Sequence, residues 1–103
     1  MFARIGIFDV SPDKLESVVE HFRIEAVRAF SKHEGFLGYQ SFVDRERGRM
    51  VGISRWASRA RLEASAESAR SVLAKALDLG AVIVGEPQVF EEAFDAVPVR
   101  RET

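Results

Sequence analysis

At 103 residues the chain has room for one domain, and 47% hydrophobic residues with eight Phe exclude a disordered polymer. Fifteen Lys and Arg against sixteen Asp and Glu leave a net charge of −1, which implies no nucleic-acid or other polyanionic partner. The absence of cysteine excludes disulfides, thiolate metal sites and cysteine nucleophiles.

The N-terminal MFARIGIFDV alternates as a strand does over residues 2 to 9. It reaches Asp9 and Pro12 too soon for a signal-peptide core, and no apolar run matches a membrane span, so a cytoplasmic location is expected. Ser11 and Pro12 supply an N-cap and a first helical residue. The helix they open carries Leu15, Val18, Val19, Phe22, Ala26, Ala29 and Phe30 on a core-facing stripe and runs to about Ser31. Past Gly35, a strand over 36 to 44, a turn through Arg45, Glu46, Arg47 and Gly48, and a strand over 49 to 57 form a hairpin. Gly48 suits a left-handed position closing a three-residue loop. Ser58 caps a second helical region over 59 to 79, read as one short and one longer helix, and Gly80 stops it. Residues 81 to 84 are β-prone, and a last strand is expected from about Gln88 to Ala96. Residues 1 to 97 thus make one domain, followed by a solvated tail over 98 to 103. The β-α-β-β-α-β order predicts an α+β, ferredoxin-like sandwich whose antiparallel sheet carries helices on one face.

A sheet covered on one side alternates apolar with polar residues, and these strands do not. Ile5 and Ile7 oppose Phe2 and Phe8, and Val51 and Ile53 oppose Met50 and Trp56. With helices enough for one face, the other is expected to pack on a second copy, giving a homodimer through the sheet face.

If Arg45 pairs with Arg49, even-numbered residues of both hairpin strands share a face: Phe36, Gly38, Gln40 and Phe42 with Met50, Gly52, Ser54 and Trp56. Large aromatics alternate there with small residues, which leaves space for a lined cavity, extended by Arg4, Gly6 and Phe8. The plain alternative is that helix side chains fill the space and Trp56 is core. The substrate-pocket candidates are therefore Arg4, Phe36, Gln40, Phe42, Ser54 and Trp56. Tyr39 has the opposite parity and is expected to face the dimer. His33 and His21, as imidazoles, are the candidate bases, although a solvated surface position suits both. Twelve residues apart and without carboxylate support, they make no recognisable metal site.

Gly35-Phe36-Leu37-Gly38-Tyr39 after the first helix and Arg55-Trp56-Ala57-Ser58 at the strand-to-helix junction resemble the antibiotic biosynthesis monooxygenase domain family, and the order of elements resembles it over about residues 2 to 96. The resemblance implies a dimeric α/β barrel of paired ferredoxin-like units. It also implies oxygenation of a small aromatic, quinol or polyketide-like substrate with no cofactor and no metal. Trp56 and His33 are the catalytic candidates, yet Gly52 stands where polyketide-oxidising members have an asparagine. Haem-degrading members need an asparagine on the first strand, a second tryptophan and a later histidine, so haem degradation is disfavoured. The competing expectation is a non-catalytic barrel that binds a small apolar ligand or only assembles. An open cavity at Trp56 favours the enzyme, and a Trp56 packed solid favours the binding module.

Overall fold

The longest pairings in the sheet centre on β3 (Arg49–Trp56), which runs antiparallel to β1 (Phe2–Asp9) from Phe2 opposite Trp56 to Asp9 opposite Arg49. The computed structural model describes residues 1–100. On the other side of β3 lies β2 (Phe36–Asp44), an edge strand. The free edge of β1 is shared by two short strands, β4 (Val82–Ile83) at Phe8 and Asp9, and β5 (Gln88–Glu91) at Phe2 to Ile5. All pairings are antiparallel, and the architecture is the expected α+β ferredoxin-like sandwich.

Helix α1 (Pro12–His21) continues through a π-helical segment (Phe22–Ala26) into α2 (Val27–Ser31). The sequence accounts for the wide turn. Val18, Phe22, Ala26 and Phe30 are all buried and recur every four residues, a spacing that drifts about 40° per step in an ideal α-helix. A π turn takes up that drift and keeps the stripe on the sheet. Pro12 occupies the first turn as expected, but the Ser11 side chain makes no cap bond; its carbonyl accepts from the Lys14 amide instead, at 2.9 Å. Ser58 does cap α3 (Arg59–Ala64), its hydroxyl accepting from the Arg61 amide at 3.2 Å. Helix α4 (Ala66–Asp78) ends before Gly80, whose φ is +108°. The core between helices and sheet holds Trp56, Met50, Leu62 and Val18, all fully buried.

Two sequence expectations are corrected. The hairpin loop has four residues, not three: Asp44 pairs with Arg49, so odd residues of β2 face the same way as even residues of β3. A one-residue shift sends every side chain to the opposite face. A bulge between Phe36 and Gly38 then restores Phe36 to the face of Trp56. The last strand ends at Glu91 rather than Ala96: Glu91 pairs with Phe2, the first residue of β1, and the Glu92 amide donates to the Met1 carbonyl at 2.8 Å. Residues 92–100 carry no regular secondary structure, and residues 101–103 of the expected tail lie outside the described residues.

The sheet face turned away from the helices presents Ile5, Ile7, Phe42, Val51, Ile53 and Phe90. Phe42 is 57% and Phe90 49% exposed. Among the described residues no helix is long and apolar enough to cross a membrane.

Gly48 ties the hairpin to the rest of the chain. Its φ is +70°, its amide donates to the Asp44 carbonyl at 2.9 Å, and its carbonyl accepts from the Val10 amide at 2.7 Å. A Cβ there would collide with the Val10 carbonyl. Gly48→Ala is expected to destabilise the fold by about 2 kcal/mol, measured by urea denaturation.

Candidate functional site

Gly6 of β1 and Gly52 of β3 are directly paired, so the centre of the helix-facing sheet surface carries no side chain. Above it lies a cavity of about 560 Å³, walled by Phe22 and Phe30 from the first helical run and Val72 and Leu73 from α4, with Gly85, Glu86 and Pro87 at its rim. The cavity is mostly apolar, and the chemistry it offers comes from Arg4, Tyr39, Ser54, Arg70 and Glu86.

Tyr39 is the residue that sequence parity misplaced. The four-residue turn swings it from the open face into the cavity, with its hydroxyl against Gly52. Its ring stacks on Phe22 at 5.9 Å and on Phe30 at 6.4 Å. Burial pushes the phenol well above its ordinary pKa, so at neutral pH it is a hydrogen-bond donor and not a base. Among the described residues the hydroxyl has no hydrogen-bond partner, although it is not sealed from the cavity.

Arg4 points inward. Its guanidinium donates to the Leu62 carbonyl at 2.9 Å and to the Ser65 hydroxyl at 3.1 Å, which fixes it to the α3–α4 junction. The Ser65 hydroxyl in turn donates to the same carbonyl at 2.6 Å. Burial lowers the Arg4 pKa, yet a guanidinium keeps its charge. Neither of its partners is a carboxylate, so this half-buried cation is not neutralised among the described residues.

Trp56 is sealed off. It is fully buried, packed by Phe30, Phe36 and His33, and its indole N–H donates to the Ser54 hydroxyl at 3.0 Å. Ser54 lines the cavity and Trp56 does not, so the indole influences that space only through the serine. Phe36 lies beside Trp56, with ring centroids 5.2 Å apart, and also stands outside the lining.

The remaining candidates are placed elsewhere. Gln40 and Phe42 project from the open sheet face, a correction that follows from the shifted register. The histidines are not solvated as expected. The ring of His33 packs against Trp56 and shares a hydrogen bond with the Ser68 hydroxyl at 2.8 Å. His21 is buried, its Nε2–H donating to the Val72 carbonyl at 2.9 Å. Neither lines the cavity. Of the sequence-chosen pocket, then, Arg4 and Ser54 line the cavity; Tyr39, Arg70 and Glu86 were missed. A loop-length signal could have found Tyr39, since four residues separate Asp44 from Arg49. Among the described residues no three His, Asp or Glu side chains gather as a metal site.

The family model described as antibiotic biosynthesis monooxygenase matches residues 1–76. Among solved structures, a variant of SnoaB, a cofactor-independent oxygenase from Streptomyces nogalater, aligns with TM-score 0.66 and 20% identity over 91% of this chain and 94% of that one. The monooxygenase from the ActVA-Orf6 gene of Streptomyces coelicolor, in complex with nanaomycin D, aligns with TM-score 0.71 and 18% identity over 95% and 92%. Rv0793 from Mycobacterium tuberculosis aligns with TM-score 0.68 and 17% identity over 93% and 98%. At these identities the alignments show a shared fold. No curated protein matches the chain.

Tyr39 is the only tyrosine, so its ionisation can be read directly from near-ultraviolet absorbance. Because its folded pKa is raised, the folded protein holds this proton where the unfolded chain begins to lose it, at about pH 10. The stability it contributes is complete below that pH and declines above it. The tyrosinate signal is expected to appear only as the chain unfolds, and Tyr39→Phe is expected to flatten the alkaline decline in stability. A second expectation separates space from bonding: Gly52→Ala, whose Cβ would collide with the Tyr39 hydroxyl, loses roughly 1–3 kcal/mol. Tyr39→Phe changes neutral-pH stability by under about 0.5 kcal/mol in the same denaturation assay.

Proposed function

Because the chain belongs to the antibiotic biosynthesis monooxygenase family, we propose that it is a cofactor-independent monooxygenase acting in this cavity on a small aromatic, quinol or polyketide-like substrate. The observation that carries the reading is an unneutralised, anchored Arg4 sharing an aromatic-walled cavity with the free hydroxyl of Tyr39. The nanaomycin D bound by the Streptomyces coelicolor protein supports a small-molecule ligand.

An electron-rich phenol or enol can reduce dioxygen itself once it has lost a proton. When a benzylic methylene of the anthrone type reacts with one molecule of dioxygen, the products are a ketone and one molecule of water. One oxygen atom enters the substrate, and the other leaves in water with the two methylene hydrogens. The protein's part is to favour the anion and keep bulk water away. Arg4 places positive charge beside the substrate oxyanion, and Tyr39, held neutral by burial, donates a hydrogen bond to it. Glu86 is the carboxylate in the lining and, at the rim, the candidate acceptor of the substrate proton.

A second reading has its own observation. Trp56 is packed solid and no histidine lines the cavity, which favours a module that binds a small apolar ligand without turning it over. Both readings include a homodimer through the open sheet face. Exposed Phe42 and Phe90 on that face support it.

Oxygen uptake with a panel of anthrones and quinols tests the enzymic reading. Substrate-dependent uptake is expected, with kcat/KM roughly 100-fold lower in Tyr39→Phe. Tight binding of these compounds without uptake would move the assignment to the binding module. Gel filtration is expected to show a dimer for the parent chain and a monomer for Phe42→Glu.

A further inference from the structure

Seven arginines of the described residues lie within ion-pair distance of an Asp or Glu. Of the others, Arg4 and Arg70 line the cavity. Arg70 stands on α4, exposed to solvent, and among the described residues it has no ion-pair or hydrogen-bond partner. The lining thus holds two arginines, Arg4 deep and Arg70 exposed, against one carboxylate, Glu86. No ion pair joins Arg70 to Glu86, so the cavity carries a surplus of positive charge at two separate points.

We infer that the cavity takes an aromatic acid: the ionisable phenol or enol lies against Arg4 and Tyr39, and a carboxylate elsewhere on the ring system pairs with Arg70. The orientation rests on the proposed monooxygenase site. Two guanidinium groups then face the two anionic ends of the ionised ligand. Arginine suits the task, because its planar fork binds a carboxylate through two parallel N–H···O bonds. The aromatic walls then hold the rings between the two charged ends.

The test compares 6-hydroxy-2-naphthoate, which carries both groups, with 2-naphthol, which lacks the carboxylate, by fluorescence titration of the full chain. The parent protein is expected to bind the naphthoate about tenfold more tightly, and Arg70→Gln is expected to remove that preference while leaving 2-naphthol affinity unchanged. Arg70→Lys is expected to keep part of the preference. Equal affinities in the parent protein, no binding of either probe, or an equal loss of both ligands in Arg70→Gln would each overturn the inference. So would an unchanged preference in that variant. Arg70 is exposed on the helix surface, and circular dichroism of the variant separates a binding loss from misfolding. Failure of the oxygen-uptake experiment leaves this result standing, since ligand preference is read without turnover. Conversely, turnover with no Arg70-dependent preference removes the aromatic acid and keeps the oxygenase.

Discussion

The register of β2 on β3 is the constraint on which the site depends. It is fixed by a four-residue turn that Gly48 closes at positive φ and ties to Val10 through its carbonyl. That register brings Tyr39 over Gly52, the partner of Gly6, and sends Gln40 and Phe42 to the opposite face. Shifted by one residue, the same two strands would put Phe42 and Gln40 into the cavity and leave Tyr39 on the open sheet. The bulge at the far end of β2 then allows Phe36 to pack beside Trp56, so one strand serves the cavity in its middle and the core at its start.

Around that constraint the polar groups are held by supports on other elements. Arg4 comes from the first strand but is positioned by the α3–α4 junction, where Ser65 and the Leu62 carbonyl hold two of its nitrogens. Ser54 is positioned by Trp56, whose indole N–H donates to the serine oxygen. The tryptophan that stands out most in the sequence is therefore a buried support for a cavity residue rather than a cavity residue itself. A fully buried aromatic with its one polar atom satisfied is a stabilising element, and its chemistry is spent on Ser54. The open space is instead supplied by residues with no side chain at all.

Much of the fold could be read directly. Every helix and strand was placed, and Pro12, Ser58 and Gly80 marked boundaries where the structure has them. Most of the cavity's polar set was not legible, for identifiable reasons. Tyr39 depended on whether the turn holds three residues or four, a difference of one that propagates along the whole strand. Arg70 and Glu86 are ordinary charged residues in sequence, one on a helix surface and one before a proline, and nothing in their neighbours distinguishes them from solvated charges. The histidines failed in the opposite direction: their polarity suggested solvent, but the Val72 carbonyl and the Ser68 hydroxyl, both on α4, offer each a partner away from it.

What the amino-acid sequence determined alone was the order of elements, the helix-facing apolar stripe and the family resemblance that the family model bears out, because each rests on local periodicity, capping and short motifs. The tertiary structure alone decided which side chains share the cavity. That choice depends on strand register and on helices that bring Arg70 of α4 to the same cavity as Arg4 of β1. Such contacts are set by the packing of elements distant in sequence, and no local pattern encodes them.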